Sequence, residues 1–264
     1  MSQAVEPAAI AAQRLTAGSG WISYFRAGEG RPTLFLHAAG GAGEWNPFHQ
    51  LLSERTDLLA PDHPGFGASA DLPELTTVDD LVYHYLDLLD RFELDQVDLV
   101  GASFGGWVAA ELAVHSPERI RKLVLLGPVG LRVPEAMVAD LFLMTPPQLM
   151  RALFHDPALV EAALSVEPTI DQIVQTQRDL GALARFGWRP FLNNPKLERR
   201  LHRITAPTRV VAAGEDRIVP RVHCERYAAT IPDAELVVVP DCGHALYGEQ
   251  PAAVAAAVTS FLAD

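Results

Sequence analysis

Short apolar runs alternate along most of the chain with longer stretches in which apolar residues recur every three or four positions. The short runs are rich in β-branched residues and are typical of buried strands, whereas the periodic stretches predict helices that cover them. This alternation predicts an α/β fold with a mostly parallel central sheet flanked by helices. The predicted strands are residues 15–17, 21–26, 32–36, 58–60, 97–100, 122–126, 208–212 and 235–239, and the predicted helices include 45–54, 76–89, 221–230 and 252–262.

The alternation stops between residues 129 and 204. This stretch has no convincing buried strand, and prolines divide it into helical segments with many large apolar side chains. Because βα alternation resumes after it, we interpret it as a helical cap inserted into the sheet domain; the alternative is that it simply adds to the core. The predicted organisation is therefore a core of residues 1–128 and 205–264 and a cap of residues 129–204.

Composition narrows the classes of partner. The 264 residues have a formal net charge of −12, which argues against nucleic acid or an anionic membrane surface as partner. Cys224 and Cys242 form no disulfide framework or metal-binding spacing, although the two could pair. Residues 1–15 lack the pattern of a signal peptide, and no apolar run has the length of a membrane span. We expect a cytoplasmic protein that acts on a small molecule.

The stretch after the fifth predicted strand indicates chemistry. Gly101 and Gly105 flank Ser103 in the G-x-S-x-G spacing of a nucleophile elbow, between a strand and an apolar helix. A serine at positive φ in so tight a turn requires small residues two positions away on each side. The alternative is a glycine-rich βα turn without catalytic function.

A serine nucleophile needs a general base and a group that orients the base. Of nine histidines, His244 is the best candidate, because its loop follows a predicted strand and precedes the last helix. In a parallel sheet that loop lies at the same edge as the elbow. The remaining histidines in helical stretches are most simply surface or packing residues.

The orienting carboxylate should follow another strand. Asp216 is the preferred candidate because it lies two residues beyond Gly214, where the loop can turn inward. Glu215 is the reserve, and Asp241 is a weaker alternative. The chain order serine, aspartate, histidine is that of one hydrolase fold and differs from both serine-protease orders.

With these residues assembled, the chain resembles the α/β-hydrolase family, in its serine-nucleophile branch with a helical cap. The resemblance covers nearly the whole chain. Residues 37–41 (HAAGG) resemble the family's oxyanion loop and residues 62–69 (DHPGFGAS) its D-x-x-G-x-G-x-S turn. Ser103, Asp216 and His244 match the nucleophile, the acid and the base.

The resemblance also implies further roles. The oxyanion hole would consist of the backbone N–H groups of Ala39 and Phe104, and no metal or organic cofactor would be needed. Ala38 departs from the glycine common in this loop, which narrows the approach without removing an N–H group. His37 and His63 are interpreted as structural hydrogen-bonding residues.

The chemistry predicted from these parts is acyl transfer through an acyl-enzyme. The apolar cap suggests a hydrophobic substrate of modest size, and esters are the first candidate, with lactones and thioesters open. Serine at the elbow argues against the dehalogenases and epoxide hydrolases of the family, which use a carboxylate. The predicted substrate pocket includes Trp45, Trp107, Phe142 and Met144.

Two other functions stay open. Relatives of this topology hydrolyse carbon–carbon bonds of ring-cleavage diketones, but they usually have Asn before the nucleophile and Trp after the base, where this chain has Ala102 and Ala245. Arg185 or Arg189 could still bind a substrate carboxylate. A non-enzymatic alternative is a ligand receptor that retains a slow triad.

Overall fold

Eight strands form one sheet in the computed structural model, which describes residues 10–40 and 43–263. The strand order is β1-β2-β4-β3-β5-β6-β7-β8; β1 and β2 form an antiparallel hairpin, β2 pairs antiparallel with β4, and all other pairs are parallel. The predicted α/β class with a mostly parallel sheet is confirmed. The strands are β1 (Gln13–Ala17), β2 (Gly20–Ala27), β3 (Pro32–Leu36), β4 (Asp57–Pro61), β5 (Val97–Ala102), β6 (Ile120–Leu126), β7 (Thr208–Ala213) and β8 (Ala234–Val239).

Helices cover both faces of the sheet. None of those in the described ranges is long and apolar enough to cross a membrane. Short 3₁₀ segments occupy Pro117–Arg119, Leu141–Leu143 and Glu198–Arg203. The α-helices are α1 (Pro47–Ser53), α2 (Val78–Arg91), α3 (Phe104–His115), α4 (Pro146–Leu153), α5 (Pro157–Leu164), α6 (Ile170–Gly187), α7 (Val222–Thr230), α8 (Leu246–Glu249) and α9 (Pro251–Ala263).

The strands alternate their side chains between two hydrophobic clusters, one on each face. In β5, Leu99 packs in the cluster beneath α2, α3 and α7, whereas Val100 packs in the cluster beneath α1 and α9. Both side chains are fully buried, as expected of a central strand covered on both sides. The apolar runs of the sequence therefore reflect burial on two faces.

The segment between β6 and β7 is helical and contains α4, α5 and α6. It contacts the core at the carboxyl edge of the sheet. Phe186 of α6 packs on Phe104 with ring centroids 6.2 Å apart, and Asp179 of the same helix accepts a hydrogen bond from the Gly67 amide at 3.0 Å. The interpretation of this segment as a cap with boundaries at residues 129 and 204 stays a prediction.

Candidate active site

The turn from β5 into α3 presents Ser103 with φ 49° and ψ −109°. This left-handed conformation is strained for a residue other than glycine, and tight packing around it makes it possible. A Cβ at Gly105 would overlap the carbonyl oxygens of Leu36 and His37, and one at Gly101 would overlap the Gly105 carbonyl oxygen. The glycine spacing seen in the sequence therefore has the steric cause that we inferred for it.

Three side chains from separate loops meet at this turn. The Nε2 atom of His244 lies 2.8 Å from the hydroxyl oxygen of Ser103, and its Nδ1 atom lies 2.8 Å from Oδ2 of Asp216. Both hydrogen bonds have the length expected of a nucleophile, base and orienting acid. The serine and histidine are separated by 141 positions along the chain. Glu215 and Asp241 do not take the place of Asp216 beside the imidazole ring.

The loop after β7 holds Asp216 as a carboxylate. Its Oδ1 atom accepts hydrogen bonds from the amides of Ile218 at 2.9 Å and Val219 at 2.8 Å, which leaves Oδ2 for His244. Burial alone would raise the pKa of Asp216, but the positive charge and hydrogen bond of His244, together with the two amides, outweigh it and lower the pKa. An ionised carboxylate in this position can stabilise an imidazolium ion on its neighbour.

The two backbone amides predicted as oxyanion donors belong to Phe104, which follows Ser103 directly, and to Ala39, in the loop after β3. Phe104 is the first residue of α3, so its N–H group has no partner within the helix. The amide of Gly105 donates to the carbonyl oxygen of His37 at 3.1 Å, which holds the loop of Ala39 against the start of α3. Gly41, the last residue of the predicted oxyanion loop, lies outside the described residues.

His37 and His63 form a buried pair behind that loop. The His63 amide donates to Nε2 of His37 at 2.8 Å, so Nδ1 of His37 must carry the proton that it shares with the Ala38 carbonyl oxygen at 2.6 Å. Nε2 of His63 in turn lies 2.9 Å from the His37 carbonyl oxygen, and its Nδ1 lies 2.5 Å from the hydroxyl of Tyr85. Burial lowers the pKa of both imidazoles, which are therefore neutral. This geometry fits the structural role that we expected.

The structure divides the four side chains of the predicted pocket between the two faces of the sheet. Trp45 packs against Phe25 and His49 in the cluster beneath α1 and α9. Trp107, Phe142 and Met144 pack against the opposite cluster. The amide of Trp107 donates to the Ser103 carbonyl oxygen at 3.2 Å, whereas Phe142 packs on Trp188 with ring centroids 5.1 Å apart. A pocket shared by all four stays a prediction.

Two cavities lie at the border between the inserted segment and the core. The larger, of about 710 Å³, lies between the β1–β2 hairpin and α6, and Arg14, Trp21, Asp71 and Arg178 contribute to its walls. The smaller, of about 250 Å³, is lined by Trp107 and by basic side chains, two of which are the candidates for binding a substrate carboxylate. Those basic residues are Arg185, Arg189 and Arg200.

Cys224 and Cys242 are both buried as free thiols, so the structure does not pair them. Burial raises the pKa of each, to about 12 for Cys242, which keeps the thiols protonated and unreactive. Within the described part of the chain, no group of three or more His, Cys, Asp or Glu side chains is placed to hold a metal ion.

A strained serine after the central parallel strand, hydrogen-bonded to a histidine that is bonded in turn to a carboxylate, defines an α/β protein of hydrolase type. The chain belongs to the alpha/beta hydrolase family, whose model matches residues 33–257. The resemblance inferred from the sequence is thereby confirmed.

Among curated proteins, the chain is 32% identical to a 2-hydroxymuconate semialdehyde hydrolase of Pseudomonas putida, with 90% of the chain and 89% of the relative covered. It is 30% identical to a 2-hydroxy-6-oxo-6-phenylhexa-2,4-dienoate hydrolase of Burkholderia cepacia, with 90% of each covered. Among solved structures, a meta-cleavage product hydrolase variant superposes with a TM-score of 0.78 at 25% identity, covering 95% of this chain and 97% of that one. A membrane phospholipase A superposes with a TM-score of 0.82 at 21% identity, covering 96% and 86%, and shows the shared fold.

Sequence reasoning passed over two groups at this site. Tyr85 lies within the predicted helix of residues 76–89 and was not singled out, yet its hydroxyl contacts the buried His63. Glu249 was not singled out, yet its carboxylate binds the amide next to His244. Nothing in one sequence marks either residue, because each acts on a partner brought to it by the fold.

Proposed function

We propose that the chain is a serine hydrolase in which Ser103 attacks a carbonyl carbon, and that its substrate is a keto acid of the ring-cleavage type. The observation that carries the proposal is the hydrogen-bonded series from Ser103 through His244 to Asp216. His244 takes the hydroxyl proton as the oxygen attacks, and Asp216 stabilises the resulting imidazolium. The amides of Phe104 and Ala39 stabilise the oxyanion that forms on the substrate.

The names of the relatives support the substrate class. The Burkholderia relative is named for a 2-hydroxy-6-oxo dienoate. The carbonyl carbon of such a ketone bears only carbon substituents, so its hydrolysis must break a carbon–carbon bond. Such a substrate also has a carboxylate, for which Arg189 offers positive charge on the inserted segment, whereas Arg185 already pairs with Asp71.

Hydrolysis of the carbon–carbon bond needs only Ser103, His244 and water to form and break the bonds and to move the protons. Once the 2-hydroxyl proton has moved to C5, Ser103 forms a bond to C6 and its proton passes to His244. Breaking the C5–C6 bond sends the electron pair through the conjugated chain to the oxygen on C2, and His244 gives its proton to that oxygen, so the imidazole is neutral again when this product leaves. Water then attacks the acyl group on Ser103, with His244 as base, and releases the acid.

Ester hydrolysis is the second candidate, and Ala102 and Ala245 favour it. Methyl side chains flank the nucleophile and the base, where carbon–carbon hydrolases of this topology usually have Asn and Trp. An alkoxide leaving group needs one proton from His244 and no conjugated path for an electron pair, so it makes fewer demands on these positions.

The experiment compares 2-hydroxy-6-oxo-6-phenylhexa-2,4-dienoate with p-nitrophenyl butanoate as substrates of the wild type and of Ser103→Ala, with Ser19→Ala as a surface control. We expect kcat/KM for the keto acid to exceed that for the ester by about a hundredfold or more, and Ser103→Ala to abolish both activities. The reverse ranking would assign the chain to the esterases.

A single stoichiometric burst without turnover would instead support the ligand receptor. Full activity in Ser103→Ala would refute the assignment of the nucleophile.

A further inference from the structure

The carboxylate of Glu249 binds three backbone N–H groups from two different segments. Oε2 accepts a hydrogen bond from the Gly243 amide at 2.7 Å, in the loop that contains His244. Oε1 accepts from the amides of His155 at 3.0 Å and Asp156 at 2.6 Å, just beyond the end of α4. One side chain thus joins the loop of the base to the inserted helical segment.

The residues on both sides of His244 contact the end of α4. Gly243 binds Glu249, and the amide of Ala245 donates to the carbonyl oxygen of Leu153 at 2.9 Å. The approach at Gly243 is so close that a Cβ there would lie 2.5 Å from the Leu153 carbonyl oxygen and 2.8 Å from the His155 nitrogen. The backbone on either side of the imidazole is therefore held against residues 153–155.

The loop of Asp216 contacts the same end of α4. The guanidinium of Arg217 donates to the carbonyl oxygen of Arg151 at 2.8 Å. The two catalytic loops also contact each other, because the Glu215 amide donates to the Cys242 carbonyl oxygen at 2.9 Å. The end of α4 thus contacts the acid loop and the base loop at once.

We propose that Glu249 is a positioning residue that holds His244 against Ser103, and that residues 151–156 of the inserted segment are a fixed part of the catalytic site. This inference rests on the proposed role of His244 as the base. It implies that His244 and residues 151–156 take up their positions together. The rest of the segment can move without displacing the base only if residues 151–156 stay in place.

The charge and both oxygens of Glu249 are needed for this arrangement. A carboxylate offers acceptors only, and hydrogen bonds to an ionised acceptor are shorter and stronger than neutral ones. Glutamine has the same shape but one oxygen, and its NH₂ group would face an amide N–H. Glu249→Gln therefore leaves at least one of these amides without an acceptor while changing the packing little.

The test measures kcat and KM of Glu249→Gln beside Glu225→Gln, a control on α7 whose carboxylate pairs with Arg221 at the surface. We expect kcat of Glu249→Gln to fall about ten- to hundredfold, because a shift of the base by about 1 Å is costly for proton transfer. KM should stay within about twofold, since residues that bind the substrate are unchanged. Equal losses of kcat in both variants would refute a specific role for Glu249.

A second readout does not depend on the substrate. A fluorophosphonate probe modifies the serine only when a base activates it, and intact mass gives the rate of modification. Labelling of the wild type but not of Ser103→Ala supports Ser103 as nucleophile. Glu249→Gln should then label at least about tenfold more slowly. Equal labelling of Glu249→Gln and wild type overturns the inference and leaves the proposed function intact, whereas no labelling of the wild type counts against the proposed function itself.

Amide hydrogen exchange tests the connection between the two segments, even in a variant that is inactive. In Glu249→Gln, peptides spanning residues 151–156 and 241–245 should exchange faster together, while peptides from β5 and β6 keep their protection. Faster exchange in one of the two segments alone would show that Glu249 does not couple them.

Discussion

The buried pair His37–His63 and the pair His244–Asp216 both contain histidine, but in very different settings. His37 and His63 are bonded to backbone groups, to each other and to a tyrosine hydroxyl. His244 is bonded to a carboxylate on one side and to a serine hydroxyl on the other. Among the described residues, no acidic side chain is bonded to the ring nitrogens of His37 or His63, so burial keeps both imidazoles neutral, whereas His244, the proposed base, has the carboxylate of Asp216 beside it.

The comparison shows that the group bonded to the second ring nitrogen determines whether a buried histidine stays neutral or is stabilised in its charged form. A carbonyl oxygen selects a tautomer and fixes a loop, and a carboxylate also stabilises the charged form. In this protein the neutral pair supports the loop of Ala39, and we propose that the acid-linked histidine moves a proton.

The largest expected effect comes from breaking the acid-linked pair. Asp216→Asn should lower kcat by about 10⁴-fold with the fold intact, because an amide cannot stabilise the imidazolium and selects the wrong tautomer. Glu215→Gln and Asp241→Asn are matched controls that should keep most of the activity. Steady-state kinetics with a thermal unfolding curve for each variant measure both quantities, and near-normal turnover of Asp216→Asn would transfer the role to another carboxylate.

A smaller effect is expected from the neutral pair. Tyr85→Phe removes the donor to Nδ1 of His63 and leaves a buried acceptor unpaired, which should lower the free energy of unfolding by about 1–3 kcal/mol. Activity should fall by about tenfold or less, since the His37 carbonyl oxygen keeps its bond from Gly105.

The chain contains a matched control for this change. The hydroxyl of Tyr83 lies 2.9 Å from Nε2 of His115 in an exposed version of the same pair, so Tyr83→Phe should change stability by about 0.5 kcal/mol or less. Urea unfolding of both variants gives the comparison. Equal losses would mean that burial of the tyrosine–histidine bond is unimportant.

The last expected effect concerns the dependence of stability on pH. Burial is the main cause that lowers the pKa of His49 in the folded chain to about 4, against an ordinary value of 6.5. Above pH 6.5 the residue is neutral in both states and contributes no pH dependence. Between pH 6.5 and 4 the unfolded chain binds the proton and the folded chain does not, so the free energy of unfolding falls as pH falls, by at most about 1.4 kcal/mol per pH unit.

His49→Gln should therefore flatten the dependence of stability on pH in this window, whereas His202→Gln, at an exposed position, should leave it unchanged. Urea unfolding at pH 7, 6 and 5 measures the slope for each variant. The same slope in all three proteins would show that His49 takes up a proton in the folded state.

Much of the fold was predictable because strands buried on both faces leave apolar runs and turns leave glycine and proline. β3 begins and ends at the predicted residues 32 and 36, and the elbow could be recognised because a steric requirement acts within five consecutive residues. Fold class and family follow from such local signals, and both were confirmed. The ranking of substrates was less successful, since the relatives favour the carbon–carbon hydrolases that we had placed second.

By itself, the sequence determined where strands and helices form, which serine lies on the tight turn and which histidine and aspartate follow later strands. Burial, chain stiffness and the sterics of glycine act over a few residues, so a linear pattern records them. Only the tertiary structure decided that Glu249 binds amides beside both His244 and α4, that Tyr85 contacts His63, and that Trp45 packs on the opposite face from Trp107. These contacts join segments whose separation in sequence has no bearing on their distance in space, and hydrogen bonds to the backbone leave no preference for residue type in the partner.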